Sequence, residues 1–394
     1  MSMRAVGVIA EYNPFHRGHA FHLAQARRRS GADCVAMVMS SCVTQRGSFA
    51  LLSPAARTRM ALACGADVVF ALPAAWAARD AEHFALGGVA LLKAMGVQAI
   101  SFGVEQDNLP LLRACARLLE QPDDAFRACL HNFMTTGLPY PVALSSAVQE
   151  RIPGAEAVLS SPNATLAVCY LRAMLRLGAD MEVIPVPREG SYHATSLTPD
   201  APSATALRGA VLRGDWAGAR AAMPADAYAV LEQETLCGRI HRPESLDGAL
   251  LYRLHTMDQE ALSSLPDLSE GIEDRLSAAA TACCSREGLL QHAKTRRYPY
   301  ARLSRLCTHA LLGITDTQLT REPLPPAAWL LGLKDTAAPL LRQLKHSGFP
   351  VIGKAADYPQ DEAWFRTELL AYDLWALGCA LPAGLGLTQG VVHL

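Results

Sequence analysis

The first half of the chain alternates short apolar runs with longer segments in which apolar residues recur about every 3.6 positions. The apolar runs are typical of strands buried inside a parallel sheet, and the longer segments indicate helices. Strands are predicted at residues 4–10, 34–39, 68–72, 99–102 and 181–185, with helices between them at 54–64, 81–95 and 164–177. Because strands alternate with helices, the pattern predicts an α/β fold whose parallel sheet is covered on both faces.

The pattern changes near Gly214, after which helical segments dominate. Helices are predicted at residues 216–222, 225–236, 246–256 and 271–282. Prolines at 323, 325 and 326 indicate a linker, beyond which a short strand at 351–352 and a closing helix at 361–377 are predicted. The 394 residues suffice for two domains, which we place at residues 1–212, an α/β domain, and 213–394, a mainly helical domain.

A polar turn separates the first predicted strand from the helix that Gly18 opens. Unpaired backbone N–H groups and the helix dipole both point toward such a turn, which makes it an anion site. His16 and His19 are three residues apart and share one face, and Gly18 lets the backbone approach a ligand closely. Two imidazole donors there suit a phosphate that gains charge in a pentavalent transition state. We therefore predict nucleotidyl transfer, with His16 and His19 as catalytic residues.

Other roles for these histidines stay open in the sequence. A His-x-x-His pair can ligate zinc, but no cysteine or carboxylate lies nearby at metal-ligand spacing, and we assign no metal-binding residue. His22, one turn further along, is most simply an ordinary helix residue.

Composition narrows the class of protein. Hydrophobic residues make up 51% of the chain and charged residues 19%, with no run of eighteen apolar residues and no basic n-region leading into an apolar segment. The 11 cysteines include no C-x-x-C pair. We therefore expect a soluble, cytoplasmic protein with reduced thiols and no membrane partner. The formal net charge of −1 favours no DNA partner, although it does not exclude a local basic patch for RNA.

Residues 7–19, GVIAEYNPFHRGH, resemble the G-x-I-x-E-Y-N-P-F-H-x-G-H stretch at the N-terminus of the bacterial tRNA(Met) cytidine acetate ligase family. The shorter H-x-G-H core is shared with cofactor adenylyltransferases and class I aminoacyl-tRNA synthetases, and alone indicates only that superfamily. The resemblance implies a Rossmann-like nucleotidyltransferase domain that binds ATP. The ATP-binding residues that it implies in and beside this stretch are Gly7, Val8, Ile9, Ala10, Glu11, Tyr12, Asn13, Pro14, Phe15, Gly18 and Ala20.

Further segments that resemble the family follow later predicted strands. Gly103 stands at a strand end, where adenine or ribose can contact bare backbone, and Asn163 can serve as a helix cap and as a nucleoside contact. Arg188 follows the last strand, where a guanidinium can clamp phosphate oxygens. Ser203 and Arg208 belong to a segment similar to the Ser-x-Thr-x-Ile-Arg element that binds β- and γ-phosphates, although Ser203 can also be a plain capping residue.

The chain departs from the family at two places. Residues 41–43, Ser-Cys-Val, stand where the family usually has Gly-Asn-Phe, and residues 53–54, Ser-Pro, replace its Asp-Lys pair. Because a cation at the lysine position helps to hold phosphates, Arg46 or Arg57 is expected to substitute for it. For Arg57, an exposed charge on a helix is the competing interpretation.

The predicted helical domain contains a basic segment, residues 294–305, with the sequence KTRRYPYARLSR. Cations suit phosphates, and tyrosines can stack on splayed anticodon-loop bases. The family carries a similar Lys-Arg-Tyr-x-x-x-Arg-x-x-Arg run. We therefore predict tRNA contacts, against the alternative of a solvated helix face, at Lys294, Arg296, Arg297, Tyr298, Arg302 and Arg305.

The resemblance implies an ATP-dependent ligase with acetate and elongator tRNA(Met) as its partners. Acetate would attack the α-phosphate of ATP, a magnesium ion would neutralise the leaving pyrophosphate, and the acetyl adenylate would acetylate the N4 amine of the wobble cytidine. Two alternatives stay open: a catalytically weakened tRNA-binding relative, and an adenylyltransferase for a small cofactor precursor.

Overall fold

The computed structural model describes residues 3–138, 140–187, 203–268 and 271–394. The strands are β1 (Ala5–Ala10), β2 (Cys34–Ser40), β3 (Val68–Leu72), β4 (Ala99–Val104), β5 (Glu182–Pro187), β6 (Ala328–Leu333), β7 (Val351–Ile352) and β8 (Val392–His393). The helices that precede β5 are α1 (Arg17–Ser30), α2 (Pro54–Ala63), α3 (Ala74–Ala77), α4 (Ala81–Ala94), α5 (Leu109–Glu120), α6 (Asp124–Thr135), α7 (Tyr140–Arg151), α8 (Ala155–Leu159) and α9 (Pro162–Leu177).

The helices that follow β5 make up most of the remaining chain. They are α10 (Ala204–Arg213), α11 (Trp216–Ala222), α12 (Ala225–Leu236), α13 (Asp247–Thr256), α14 (Gln259–Ser263), α15 (Ile272–Ala282), α16 (Arg286–Ala293), α17 (Tyr300–Leu312), α18 (Asp316–Arg321), α19 (Ala338–His346), α20 (Ala363–Gly378) and α21 (Leu385–Thr388). None of the helices in the described ranges is both long and apolar enough to cross a bilayer.

The described strands form one sheet in the order β5-β4-β1-β2-β3-β6-β7, and β8 also pairs with β6. β1 to β5 run parallel to one another, and Gly7 of β1 lies between Ala36 of β2 and Ile100 of β4. All seven residues of β2 are buried, as a strand covered on both faces requires. The predicted α/β fold is confirmed.

The strand order places a ligand site. The chain leaves β1 toward β2 on one side, whereas β4 lies on the other side. In open α/β sheets, ligands bind outside the carboxyl ends of the strands at such a switch point. α1 begins near the carboxyl end of β1, so the backbone N–H groups of its first turn face this point.

Helix α4 packs closely on the sheet because glycines leave room for it. A Cβ on Gly7 would lie 2.6 Å from Cδ2 of Leu92, and one on Gly88 would lie 2.7 Å from Cδ1 of Ile9. A larger residue at either position would therefore require Leu92 or Ile9 to move.

The C-terminal part of the chain returns to the sheet. β6 pairs antiparallel with β3, with Leu333 opposite Val68 and Trp329 opposite Ala71, and every residue of β6 is buried. The hydrophobic pattern does not predict this strand, because its pairing partner is remote in sequence. The boundary at residue 213 stays a prediction, and the segment 213–394 adds β6, β7 and β8 to the sheet that the first segment builds.

Candidate active site

A cavity of about 500 Å³ opens where β1, β4 and β5 end and α1 begins. Its polar lining comes from the turn after β1, from α1, from the loop after β2, from α9 and from the start of α10. The polar residues among those that line it are Glu11, Tyr12, Asn13, His16, Arg17, His19, His22, Thr44, Gln45, Arg46, Ser48, Asn163, Tyr170, Ser203, Thr205 and Arg208. The cavity therefore collects residues from widely separated parts of the sequence at the predicted switch point.

The two predicted catalytic histidines stack on each other at the cavity wall. Their ring centroids are 3.6 Å apart with an interplanar angle of 21°, and the His16 side chain is buried. The backbone N–H of His16 donates to Nδ1 of His19 over 3.2 Å. Since a nitrogen that accepts a hydrogen bond carries no proton, the neutral His19 ring has its proton on Nε2. The His19 side chain lines the cavity.

Buried aromatic rings fix the orientation of His19. The ring centroid of Tyr12 lies 4.5 Å from that of His19 and 4.7 Å from that of Phe15, and Phe15 lies 5.5 Å from His19. Burial raises the pKa of Tyr12 far above its usual range, so its hydroxyl stays neutral. These contacts restrict the imidazole before any ligand binds, as preorganised catalysis requires.

Asn13 ties the turn to two other parts of the chain. Its side-chain oxygen accepts the backbone N–H of Leu51 at 2.8 Å, and its carbonyl accepts Nη1 of Arg208 at 2.6 Å. Nη2 of Arg208 donates to Oγ1 of Thr205 at 3.1 Å. Ser203 caps α10 by accepting the N–H of Ala206, so its predicted capping role is confirmed, and it also lines the cavity.

The stretch of predicted ATP-binding residues divides into two groups. Ile9, Ala10, Glu11, Tyr12, Asn13 and Gly18 line the cavity, but Gly7, Val8, Pro14, Phe15 and Ala20 do not. Gly7 packs on α4 and Val8 belongs to the hydrophobic core, because alternate positions of a strand face opposite sides of the sheet and the cavity lies only at its end. For these five residues, direct contact with ATP stays a prediction.

Gly103 and Asn163 both reach the cavity, on the side of β4. Glu105 orders this corner: its Oε1 accepts Nδ2 of Asn163 at 2.8 Å, and its Oε2 accepts the backbone N–H of Ala164 at 3.1 Å. Asn163 lies inside the first turn of α9, whose N-cap is Ser161, so the cap comes from Glu105 and the predicted capping role of Asn163 is wrong.

An apolar wall completes the cavity. The motifs in the sequence do not predict it. Its members are Phe84, Phe102, Leu166, Tyr170 and Val186. The rings of Phe102 and Tyr170 lie 5.7 Å apart. The signal in the sequence was the position of Phe102 beside Gly103 at a strand end, whereas the helical residues give no local signal.

His22 is more than an ordinary helix residue. Its Nε2 lies 3.0 Å from Oγ of Ser101, a buried residue of β4, and its side chain lines the cavity. Arg188 is outside the described residues, so its predicted phosphate contact stays a prediction.

The two arginines expected to replace the family lysine have different places. Arg46 is exposed on the cavity wall. Arg57 is fully buried and donates to backbone carbonyls: Nη1 to Glu11 at 2.7 Å and to Ser40 at 2.9 Å, and Nη2 to Ser41. Burial lowers its pKa to about 10. Both interpretations of Arg57, phosphate contact and exposed helix charge, are wrong, because the guanidinium bonds the turn after β1 to the end of β2.

The residues of the basic segment, 294–305, also differ in whether they are exposed or buried. Lys294, Arg296 and Arg297 are exposed, with the guanidinium of Arg297 5.7 Å from the ring centroid of Tyr298. Tyr298 is only 7% exposed, and its predicted stacking on RNA bases stays a prediction.

Two further arginines of the segment make contacts inside the protein. Nε of Arg302 donates to the carbonyl of Asp267 at 3.0 Å. Arg305 packs beside Gly47, and burial lowers the pKa of its guanidinium. Predicted RNA contacts at Arg302 and Arg305 would have to compete with this packing.

The fold and the cavity are those of a nucleotidyltransferase, and the HIGH Nucleotidyl Transferase family matches residues 3–382. A tRNA(Met) cytidine acetate ligase of Geobacillus sp. (strain WCH70) is 34% identical over 377 residues and matches over 94% of each chain. The enzyme of that name from Caldicellulosiruptor saccharolyticus is 35% identical over 95% of this chain and 94% of its own. The chain belongs to the tRNA(Met) cytidine acetate ligase family, a family of ligases, as the motif predicted.

Solved structures agree with this assignment over the whole chain. The apo crystal structure of Thermotoga maritima TmcAL matches with a TM-score of 0.93 at 26% identity, covering 100% of both chains. The structure of the same protein bound with alpha-thio ATP matches with a TM-score of 0.90 at 25% identity, again over 100% of both chains.

Proposed function

We propose that this protein is an ATP-dependent acetate ligase that acetylates the N4 amine of the wobble cytidine of elongator tRNA(Met). The observation that carries the proposal is the convergence of His16, His19 and Arg208 on one cavity at the switch point of the sheet. The alpha-thio ATP bound by the related T. maritima protein supports ATP as the occupant. The names of the relatives support tRNA(Met) and acetate as the other substrates.

The first step forms acetyl adenylate. A carboxylate oxygen of acetate attacks the α-phosphorus of ATP, the bond to the bridging oxygen breaks, and pyrophosphate leaves with that oxygen. His19 donates from Nε2 to the phosphate oxygen that gains charge, and His16 stacks against it from the N-terminus of α1. Arg46, Arg188 and Arg208 hold the β- and γ-phosphates.

The second step transfers the acetyl group to RNA. The N4 amine attacks the acetyl carbon, AMP leaves, and the amine loses a proton. The acid oxygen and the amine form the new bonds, so the reaction needs no protein nucleophile. Gly103 and Asn163 position the nucleoside against the apolar wall of Phe102 and Tyr170.

Magnesium fits this site as an ion bound chiefly by the nucleotide. Within the described residues, no group of three His, Cys, Asp or Glu side chains is placed to hold a metal. Mg²⁺ in nucleotide sites uses one or two carboxylates together with substrate phosphates, and Glu11 is a carboxylate on the cavity wall. Bound there, the ion would neutralise charge on the pyrophosphate.

The exposed cations Lys294, Arg296 and Arg297 are proposed to contact tRNA phosphates. They precede α17, whose later turns pack against the loop after β2 at the cavity. This arrangement gives RNA a basic approach to the protein in spite of the net charge of −1.

The test is incubation of the protein with ATP, labelled acetate and tRNA(Met), beside a tRNA in which uridine replaces the wobble cytidine. We expect label only in the cytidine-containing RNA, together with acetate-dependent ATP–pyrophosphate exchange. RNA binding without label or exchange would indicate the weakened relative. Consumption of ATP only with another acceptor would indicate a cofactor adenylyltransferase.

A further inference from the structure

The loop of residues 44–48 follows the end of β2 and forms part of the cavity; we call it the cavity loop. The N–H of Thr44 donates to the carbonyl of Ser48 at 2.8 Å, and the N–H of Gly47 donates to the carbonyl of Thr44 at 2.9 Å. Gln45 and Arg46 form its tip and line the cavity. The position of Arg46 therefore depends on how this turn is held.

On the cavity side, the loop is fixed to the N-terminal turn. The backbone N–H of Gln45 donates to Oε1 of Glu11 at 2.5 Å, and the Gln45 side chain donates to the carbonyl of Arg79 at 2.8 Å. These contacts fix one end of the loop but leave the carbonyl of Gly47 to be bonded from another element.

Three side chains of α16 and α17 converge on the carbonyl of Gly47. Oγ1 of Thr308 donates to it at 2.6 Å, Oγ of Ser304 lies 3.1 Å from it, and Nη2 of Arg286 also donates to it. The same guanidinium nitrogen lies 3.0 Å from Oγ1 of Thr308 and 2.7 Å from the carbonyl of Ser304. Arg286 is thus the cation at the centre of this junction.

The junction leaves no room for a side chain at residue 47. Gly47 has φ +73°, and a Cβ built on it would lie 2.5 Å from the backbone nitrogen of Arg305. Gly47 therefore lies directly against the backbone of α17.

We propose that Arg286 is a positioning residue for nucleotide binding, which acts by fixing the Gly47 carbonyl and thereby the place of Arg46 in the cavity. The inference rests on the proposed function, since it takes the triphosphate to be the group that Arg46 contacts. Arg286 itself does not line the cavity. Its effect on the nucleotide passes through the backbone of Gly47 to the adjacent Arg46.

The test measures the Kd of ATP by calorimetry for Arg286→Ala, Arg46→Ala and the double variant. We expect each single variant to weaken ATP about tenfold, as the loss of one hydrogen bond to a charged group does. The double variant should be no weaker than Arg46→Ala, because Arg286 acts only through Arg46. An unchanged Kd in Arg286→Ala, or losses that add in the double variant, would overturn the proposal.

Arg253→Ala is the matched control. Nε of Arg253 donates to the carbonyl of Ala310 at 3.2 Å, so this change also removes an arginine-to-carbonyl bond from α17, but away from the cavity loop. Its Kd for ATP should equal that of the wild type. An equal weakening in both variants would show a general structural effect and contradict the positioning role.

Thr308→Val gives a second, gentler probe if Arg286→Ala does not fold. It removes the 2.6 Å bond to Gly47 with little change of shape, and we expect ATP binding about threefold weaker, as for one neutral hydrogen bond. An unchanged Kd would refute the inference. Acetate-dependent exchange in the wild type tests the proposed function separately, because ATP binding can be measured whether or not acetate reacts.

Discussion

Two short segments contain residues for which the sequence predicts ligand contacts, and the structure places these residues differently in the two segments. In the turn after β1, His16, His19 and Asn13 converge on one cavity. In the basic segment 294–305, the first cations are exposed, whereas Arg302 and Arg305 make contacts inside the protein. Both segments match family motifs, so a match in sequence does not by itself say which residues reach a ligand.

The difference has a geometric cause. A turn between a buried strand and a helix has little freedom, because both flanking elements are fixed by packing, and its polar residues point out of the end of the sheet. A helix instead distributes successive residues around its axis, so residues three apart share a face. On α17, Arg302 donates to the carbonyl of Asp267, and Arg305 is partly buried. The exposed cations Lys294, Arg296 and Arg297 precede the helix.

The largest effect on the turn after β1 is expected when Arg57 is removed. Arg57 donates hydrogen bonds both to the Glu11 carbonyl in that turn and to the Ser40 carbonyl at the end of β2. Arg57→Ala leaves these buried carbonyls without donors and should lower the free energy of unfolding by about 3–5 kcal/mol in urea titrations. Arg46→Ala, which removes an exposed guanidinium, is the matched control and should change stability by less than about 0.5 kcal/mol. Equal stability of the two variants would contradict the buried role of Arg57.

The next effect concerns catalysis rather than stability. His19→Ala removes the proposed donor to the α-phosphate of ATP and should lower acetate-dependent ATP–pyrophosphate exchange by about 10²–10³-fold, with tRNA binding unchanged. His255, exposed on α13, supplies the control variant His255→Ala, which should keep full exchange. Normal exchange in His19→Ala would contradict the proposed catalytic role of His19 in the cavity.

A smaller effect arises from Glu368, a carboxyl group that is fully buried on α20. Burial raises the pKa of Glu368 to about 7, and its Oε2 accepts the N–H of Ala74 at 2.5 Å. Because the folded pKa is raised, the stabilisation linked to this proton is full below the unfolded pKa and is lost as pH rises through about 7. Between pH 5 and pH 8, Glu368→Gln should gain about 2 kcal/mol of stability relative to the wild type.

Urea unfolding at several pH values measures this difference. Glu244→Gln, at an exposed carboxylate, serves as the control. A stability difference between Glu368→Gln and the wild type that does not vary with pH would show that Glu368 does not titrate in this range.

The smallest expected effect tests the difference between the exposed cations of the basic segment and those that bond inside the protein. Replacing Lys294, Arg296 and Arg297 together by alanine should weaken tRNA binding about tenfold near physiological salt and flatten its salt dependence, because fewer phosphates are neutralised. Arg302→Ala should lower thermal stability while leaving the salt dependence unchanged, since it donates to the Asp267 carbonyl. A flatter salt dependence in Arg302→Ala alone would contradict this division.

Local patterns in the sequence predicted the parallel strands and the histidine turn, because strand burial and the strand-to-helix turn are properties of neighbouring residues. The predictions that were wrong depend on remote partners. Arg57 has the sequence surroundings of a helix charge, yet its partners are carbonyls of residues 11, 40 and 41. The cap of α9 likewise comes from Glu105, which is remote in sequence. No local pattern identifies such partners.

The return of β6 to β3 has a consequence for biosynthesis. Until residues 328–333 have left the ribosome, the outer edge of β3 has no strand to pair with, although β1, β2 and β4 are already available. A nascent chain therefore shows a bare, apolar strand edge for most of its translation, and such edges recruit other chains. Shielding by chaperones is the expected need during that interval, since the edge of a strand made early is covered only by a strand made late.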